Sequence, residues 1–293
     1  MDMRLVIEKE NFFPIGIGTY KLNLEDNENT LKGLLYSVEN GQNFISTALV
    51  YDNGKVVEFL KEFFKSVERN KIFLMTHLER YIEKPEDVEK QVDEYLEKMG
   101  ITYIDAVQVH ASYVSKISLE ETYGEIKKLI DKGKVRYMSM SNSNLEELKE
   151  INEKYGVYSF EGVYNLECKL NENIGIMNYC KENNIKFVCY QALRRNRIAN
   201  ANYPVLLELA NKYNKTQNQI LLNWLIKEKG VMALIKSTNV DNINSNLEAL
   251  DFTIAKEDMI KLNSFKHEGF DSIKIDWSES GNGVLIDQLA NQF

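Results

Sequence analysis

Histidine, cysteine and proline each occur only three times in this chain of 293 residues. The three histidines (His77, His110 and His267) include no pair at metal-ligand spacing, so the sequence points away from a resident metal. Cys168, Cys180 and Cys189 are odd in number, lack Cys-x-x-Cys spacing and lie in or near apolar runs. They read as buried free thiols, which suits the reducing cytosol and excludes a disulfide-stapled scaffold. With only Pro14, Pro85 and Pro204, and no Gly/Ser-rich stretch, nothing marks a linker, and residues 1–293 read as one domain. No apolar run approaches the roughly 18 residues of a membrane span. The opening Met1-Asp2-Met3-Arg4 has no signal-peptide pattern. A net charge of −8 argues against nucleic acid or an anionic membrane as partner. No Gly-x-Gly-x-x-Gly follows any apolar run, which removes the usual dinucleotide fingerprint of an open sheet.

What is present is alternation. Short apolar runs at Ile15–Tyr20, Asn43–Thr47, Lys71–Thr76, Ile104–Val109, Val135–Met140, Phe160–Tyr164, Phe187–Tyr190 and Val231–Ile235 predict eight strands. Between them lie segments of helical periodicity. Leu31, Leu34, Leu35 and Val38 share a face in a helix over 27–39, stopped by Gly41. Pro85-Glu-Asp opens a helix closed by Gly100, Ser143 or Asn144 caps another, and one helix is expected over 172–183. Two helices, from Pro204 and from Thr216, precede the last strand, and others start near Asp241 and Lys256. Buried strands that alternate with single amphipathic helices imply βαβ units and a parallel sheet. Eight of them favour closure into a (β/α)8 TIM barrel of class α/β. The tail 267–293, with Phe270 and Trp277, is expected to fold over the barrel mouth.

In such a barrel the side chains at the C-terminal strand ends converge on one mouth, where the chemistry sits. Here those ends carry Tyr20, Ser46 to Tyr51, His77, His110, Ser141-Asn142, Asn165, Tyr190-Gln191 and Lys236-Ser237. The phrases Gly16-Ile-Gly-Thr-Tyr20, Phe44-Ile-Ser-Thr-Ala-Leu-Val-Tyr51, Tyr103-Ile-Asp-Ala-Val-Gln-Val-His110, Gly133-Lys-Val-Arg-Tyr-Met-Ser-Met-Ser-Asn142 and Ile235-Lys-Ser-Thr238 fall in order at the proper strand ends. Together they make the chain resemble the aldo-keto reductases over nearly its whole length.

That resemblance implies reduction of a small-molecule carbonyl by NADPH, in a cytoplasmic and commonly monomeric protein, with NAD as the alternative nucleotide and no metal. Tyr51 and His110 match the family's catalytic Tyr and His. Ser46 stands at its Asp position and His77 at its Lys position, so two of four catalytic groups are replaced. A phenol with a pKa near 10 needs an adjacent cation to act as an acid at neutral pH, and an ordinary imidazole, near 6.5, is mostly neutral there. Lys21 and Lys169 are candidates to supply the missing ammonium. For the cofactor, the resemblance implies Ser141, Asn142 and Asn165 at the nicotinamide amide and Tyr190 stacked on its ring. It implies Arg194 near the pyrophosphate, Lys236, Ser237 and Thr238 at the 2′-phosphate, and Asn246 at the adenine. The family's Arg and Glu downstream of that Lys are Asn242 and Ser245 here. Tyr20 and Tyr113 fall where substrate-facing aromatics stand. The altered tetrad keeps two other readings open. One is an inactive nucleotide-binding sensor or regulatory barrel. The other is a non-redox lyase or isomerase that uses Tyr51, His77 and His110 as acid and base.

Overall fold

The computed structural model describes residues 13–78, 81–110, 115–227 and 230–271. Eight parallel strands close into one barrel in chain order, β1 pairing with both β2 and β8. They are β1 (Ile15–Gly18), β2 (Phe44–Ala48), β3 (Phe73–Leu78), β4 (Ile104–Val109), β5 (Val135–Ser141), β6 (Ser159–Val163), β7 (Lys186–Tyr190) and β8 (Val231–Ile235). The expected (β/α)8 barrel is therefore observed. β4 and β8 match the expected bounds, and the other strands differ by one or two residues at their ends.

Outside the barrel pack α1 (Asn27–Glu39), α2 (Lys55–Ser66), α3 (Glu86–Met99), α4 (Leu119–Asp131), α5 (Leu145–Tyr155), α6 (Ile176–Glu182), α7 (Pro204–Tyr213), α8 (Gln217–Ile226), α9 (Val240–Leu247) and α10 (Lys256–Asn263). Local chemistry fixes their starts. Reciprocal capping boxes join Ser118 to Glu121, Asn144 to Glu147 and Thr216 to Gln219. The helix expected over 172–183 is instead two pieces. A single turn at Leu170–Asn173 ends before Gly175, whose φ of 87° lies where a helix cannot continue, and α6 starts after it.

The barrel interior is a packed plug. Phe44, Phe73, Met75, Ala106, Val188 and Met232 interlock, and the Phe44 and Phe73 rings stack at 5.3 Å. The plug fills the end of the barrel away from the active mouth, as layered interiors do. The next inward residue on several strands is polar: Ser46 follows Phe44, His77 follows Met75, Gln108 follows Ala106, and Glu161 follows Ser159. The period of two along each strand puts these side chains in a layer directly above the plug. No helix among the described residues is long and apolar enough to cross a membrane.

Candidate active site

Above that layer the strand ends enclose a cavity of about 760 Å³ lined by Ser46, Tyr51, His77 and His110, among others. Tyr95 of α3 ties two strand ends together. Its hydroxyl donates to the His77 carbonyl at 2.7 Å and accepts from the Leu49 N–H at 2.8 Å. That clamp fixes the exit of β2, which delivers Tyr51, beside the end of β3. The Tyr51 and His77 ring centroids are 6.4 Å apart, edge to face, and the His77 and His110 rings stack at 6.0 Å. Tyr20 packs edge-on against Tyr51 at 5.2 Å and is half exposed at the rim.

His77 is almost fully buried, and its Nε2 meets three polar groups. Ser46 Oγ lies at 3.1 Å, Gln108 Nε2 at 3.0 Å and Glu161 Oε2 at 3.6 Å. Glu161 reaches in from β6, across the barrel from β3, and is itself only 4% exposed. Its Oε2 and the Oε1 of Gln108 are buried without a hydrogen-bond partner among the described residues. Buried polar atoms are ordinarily satisfied, and these two lie in the layer next to the cavity.

Of the positions matched to cofactor contacts, Asn142, Tyr190, Arg194, Lys236, Ser237 and Asn246 line this same cavity. The Tyr190 hydroxyl donates to Asn142 Oδ1 at 2.9 Å, and Asn142 Nδ2 donates to the His110 carbonyl at 3.2 Å. Ser141 lies just beneath, with its Oγ buried and lacking a partner among the described residues. Asn165 does not reach the cavity. Its Oδ1 accepts from the Glu167 and Cys168 N–H groups, its Nδ2 donates to the Gln191 carbonyl, and the side chain is wholly buried. Thr238 also stays outside the lining and packs its backbone on Gly33 of α1. The following helix α9 is capped by Asn239, so Lys236 and Ser237 have no capping role.

Arg194 forms a buried ion pair with Glu167, which also accepts from the Tyr203 hydroxyl at 2.6 Å. Arg195 instead lies over the Tyr20 ring, 5.5 Å from its centroid. The two candidate ammoniums sit differently. Lys169 Nζ donates to the carbonyls of Leu262, Asn263 and Phe265 at 2.7–3.0 Å. Lys21 Nζ lies over the outer ring, Tyr20, at 5.5 Å. Tyr113 and residues 272–293, including Trp277, lie outside the described residues, as does the side chain of Phe270.

Sequence reasoning passed over Glu161 and Gln108. A lone glutamate inside the apolar run Ser159-Phe-Glu-Gly-Val163, in phase with the inward Ser159, was the available signal. It also passed over the backbone. Lys21, Asp52, Asn53, Asn142, Gln191, Arg194, Arg195 and Asn196 all have φ between 45° and 69°. These non-glycine residues cluster on the loops around the mouth, and strained backbone of this kind gathers at functional sites. Among the described residues that line the cavity, Lys21, Arg195, Arg197 and Lys236 add positive charge on a chain of net charge −8, and Glu161 is the acid.

A closed parallel barrel with polar side chains at the carboxyl mouth defines a barrel of the enzyme-bearing type. The aldo/keto reductase family profile matches residues 14–267, and the chain belongs to that family. It is 26% identical over 276 residues to aldose reductase C of Dictyostelium discoideum, covering 85% of each chain. It is 24% identical over 254 residues to glyoxal reductase of Bacillus subtilis, covering 86% of this chain and 88% of that one. A thermostable aldo-keto reductase solved with the inhibitor epalrestat superposes with a TM-score of 0.81 at 25% identity, over 87% of this chain and 95% of the other. An aldo-keto reductase of Klebsiella pneumoniae solved in complex with NADPH superposes with a TM-score of 0.78 at 21% identity, over 85% and 89%.

Proposed function

We propose that this chain is an NADP(H)-dependent oxidoreductase that reduces the carbonyl of a small molecule, acting as a single-domain cytoplasmic monomer. One observation carries the reading. The Tyr51, His77 and His110 rings meet in a cavity that Lys236, Ser237 and Asn246 also line. Family membership and the NADPH held by the Klebsiella relative support it.

The residues present fit a dinucleotide. The buried Ser141 Oγ lacks a partner among the described residues beside Asn142, which suits a carboxamide, and Tyr190, bonded to Asn142, lines the same cavity. Lys21, Arg195, Arg197 and Lys236 suit a polyanion. With Asn242 and Ser245 in place of the family's Arg and Glu, NAD remains the alternative nucleotide. When bound, the reduced nicotinamide supplies the hydride. Tyr51 gives its phenolic proton to the carbonyl oxygen as charge develops there. His110 donates a hydrogen bond to that oxygen and orients the carbonyl. His77, when protonated, places a cation beside Tyr51 and makes the phenol a stronger acid. Activity therefore rises as pH falls through the titration of His77.

The test is NADPH consumption across a panel of aldehydes and ketones for the native protein and Tyr51→Phe. The variant is expected to lose about 100-fold or more in kcat, the usual scale of an acid catalyst, while its affinity for NADPH stays within a few-fold. Full activity in Tyr51→Phe contradicts the role. The uncharged Ser46 at the family's Asp position favours one second reading, a nucleotide-binding sensor. Tight binding of NADPH with no turnover on any carbonyl is the outcome that reading expects.

A further inference from the structure

We infer that Glu161 is a positioning residue of this site. From the far wall of the barrel, its carboxylate holds His77 as an imidazolium facing Tyr51. The inference deepens the proposed reduction and rests on it for its catalytic consequence, but the pairing itself can be tested without any turnover.

Glu161 sits two residues after Ser159, whose hydroxyl meets Ser139 Oγ at 2.7 Å and Met75 Sδ at 3.9 Å inside the barrel. The side chain of Glu161 must therefore enter the interior too. A carboxylate there, 4% exposed, bears a large desolvation cost unless a positive or donating partner faces it. Its Oε2 has no hydrogen-bond partner among the described residues, and His77 Nε2 stands 3.6 Å away. The groups around His77 come from every wall packed on it. β2 supplies Ser46 and, just beyond its end, Tyr51; β4 supplies Gln108 and, at its end, His110; β6 supplies Glu161. Tyr51, His110 and Glu161 are the titratable ones, and Glu161 is the carboxyl group among them.

A proton on His77 Nε2 calls for acceptors around it. Gln108 now directs its Nε2 at the ring, while its Oε1 is buried with no partner. The two amide atoms exchange by a half-turn, which presents an acceptor to His77 Nε2. Ser46 Oγ at 3.1 Å then accepts as well. A proton on Nε2, carried by the neutral Nε2–H tautomer and by the imidazolium alike, has acceptors at Ser46, Gln108 and Glu161, but only the imidazolium gives the buried carboxylate a counter-charge. With His77 neutral, the carboxylate has no ion-pair partner among the described residues. The ion pair thus spans the barrel interior from β3 to β6.

The experiment is NMR titration of the histidine ring protons in the native protein, in Glu161→Gln and in Glu161→Asp, with His77→Gln used to assign the resonance. With three histidines in the chain the spectrum is simple. In the native protein His77 is expected to titrate above the ordinary imidazole value of about 6.5. In Glu161→Gln its midpoint falls by about one pH unit or more, a tenfold change in the protonation equilibrium, and Glu161→Asp recovers part of the difference. A native midpoint at or below the ordinary value overturns the inference without recourse to any variant. So does an equal midpoint in native protein and a folded Glu161→Gln. Steady-state kinetics then link the pair to catalysis. The alkaline limb of kcat/KM in Glu161→Gln moves to lower pH by the same interval as the NMR midpoint, with KM little changed at low pH. An NMR shift in a protein that turns over no carbonyl leaves the ion pair standing and refutes the reductase reading instead.

Discussion

Replacing Gly33 by alanine tests how the nucleotide end of the cavity is built. Gly33 lies inside α1, where alanine is ordinarily the better helix former by about 1 kcal/mol. Here a Cβ would fall 2.1 Å from the Thr238 carbonyl oxygen and 2.7 Å from its carbonyl carbon and Cα. These are backbone atoms that no rotamer change can move, so helix and segment must part by roughly 1 Å or more to restore ordinary contact. Overpacking of this kind costs about 1–3 kcal/mol, partly offset by the helical preference of alanine. A net loss of up to about 2 kcal/mol lowers Tm by up to about 6 °C in a chain of this size. The displaced segment carries Lys236 and Ser237 into the cavity wall, so NADPH should bind about tenfold more weakly, equivalent to about 1.4 kcal/mol. Gly124 supplies the control. It also lies within a helix, α4, but a Cβ there meets nothing closer than Tyr155 Oη at 3.4 Å. Gly124→Ala should therefore hold or raise Tm and leave binding alone. Thermal melts and fluorescence titration measure both quantities. A Gly33→Ala protein with unchanged Tm and with NADPH affinity within twofold of native would refute the packing argument.

Two further outcomes follow from buried groups. Glu167→Ala leaves Arg194 buried without its carboxylate, so the fold should lose about 3–5 kcal/mol, seen as a Tm about 10 °C lower; a Tm within 2 °C of native contradicts the role of that ion pair. Cys168, Cys180 and Cys189 are all buried, and burial pushes the Cys180 thiol up to about 12 and the Cys189 thiol higher still. A thiol reagent at pH 8 should label none of them in the native protein and all three after unfolding, and rapid native labelling of any one contradicts the assigned packing.

The barrel was legible because parallel strands covered on both sides read as continuous apolar runs such as Ile104–Val109, and periodic helices separate them. Strand ends were less legible. At the mouth the buried run gives way to polar side chains that still belong to the strand, as His77 and Ser141 do. Motif phrases located Ser46, Tyr51 and His110, and its place at the end of the third apolar run located His77; all four line one cavity. Glu161 was hidden because no local pattern reveals that a residue on β6 crosses the barrel to meet one on β3. Asn165 misled for a related reason. Period-two reasoning ends where β6 ends at Val163, and the loop turns that amide inward onto the Glu167 and Cys168 N–H groups. The break at Gly175 was a glycine read as part of a helix, where its positive φ ends one.

The most direct test of carbonyl reduction is to follow a label. The protein is incubated with NADPH carrying deuterium at the transferable position of the nicotinamide and with each member of a carbonyl panel, and the products are read by mass spectrometry. Deuterium on the carbinol carbon of at least one product, lost in Tyr51→Phe, is the predicted result. Binding of NADPH with no label transferred to any carbonyl would contradict the account and leave a nucleotide-binding barrel without reductase chemistry.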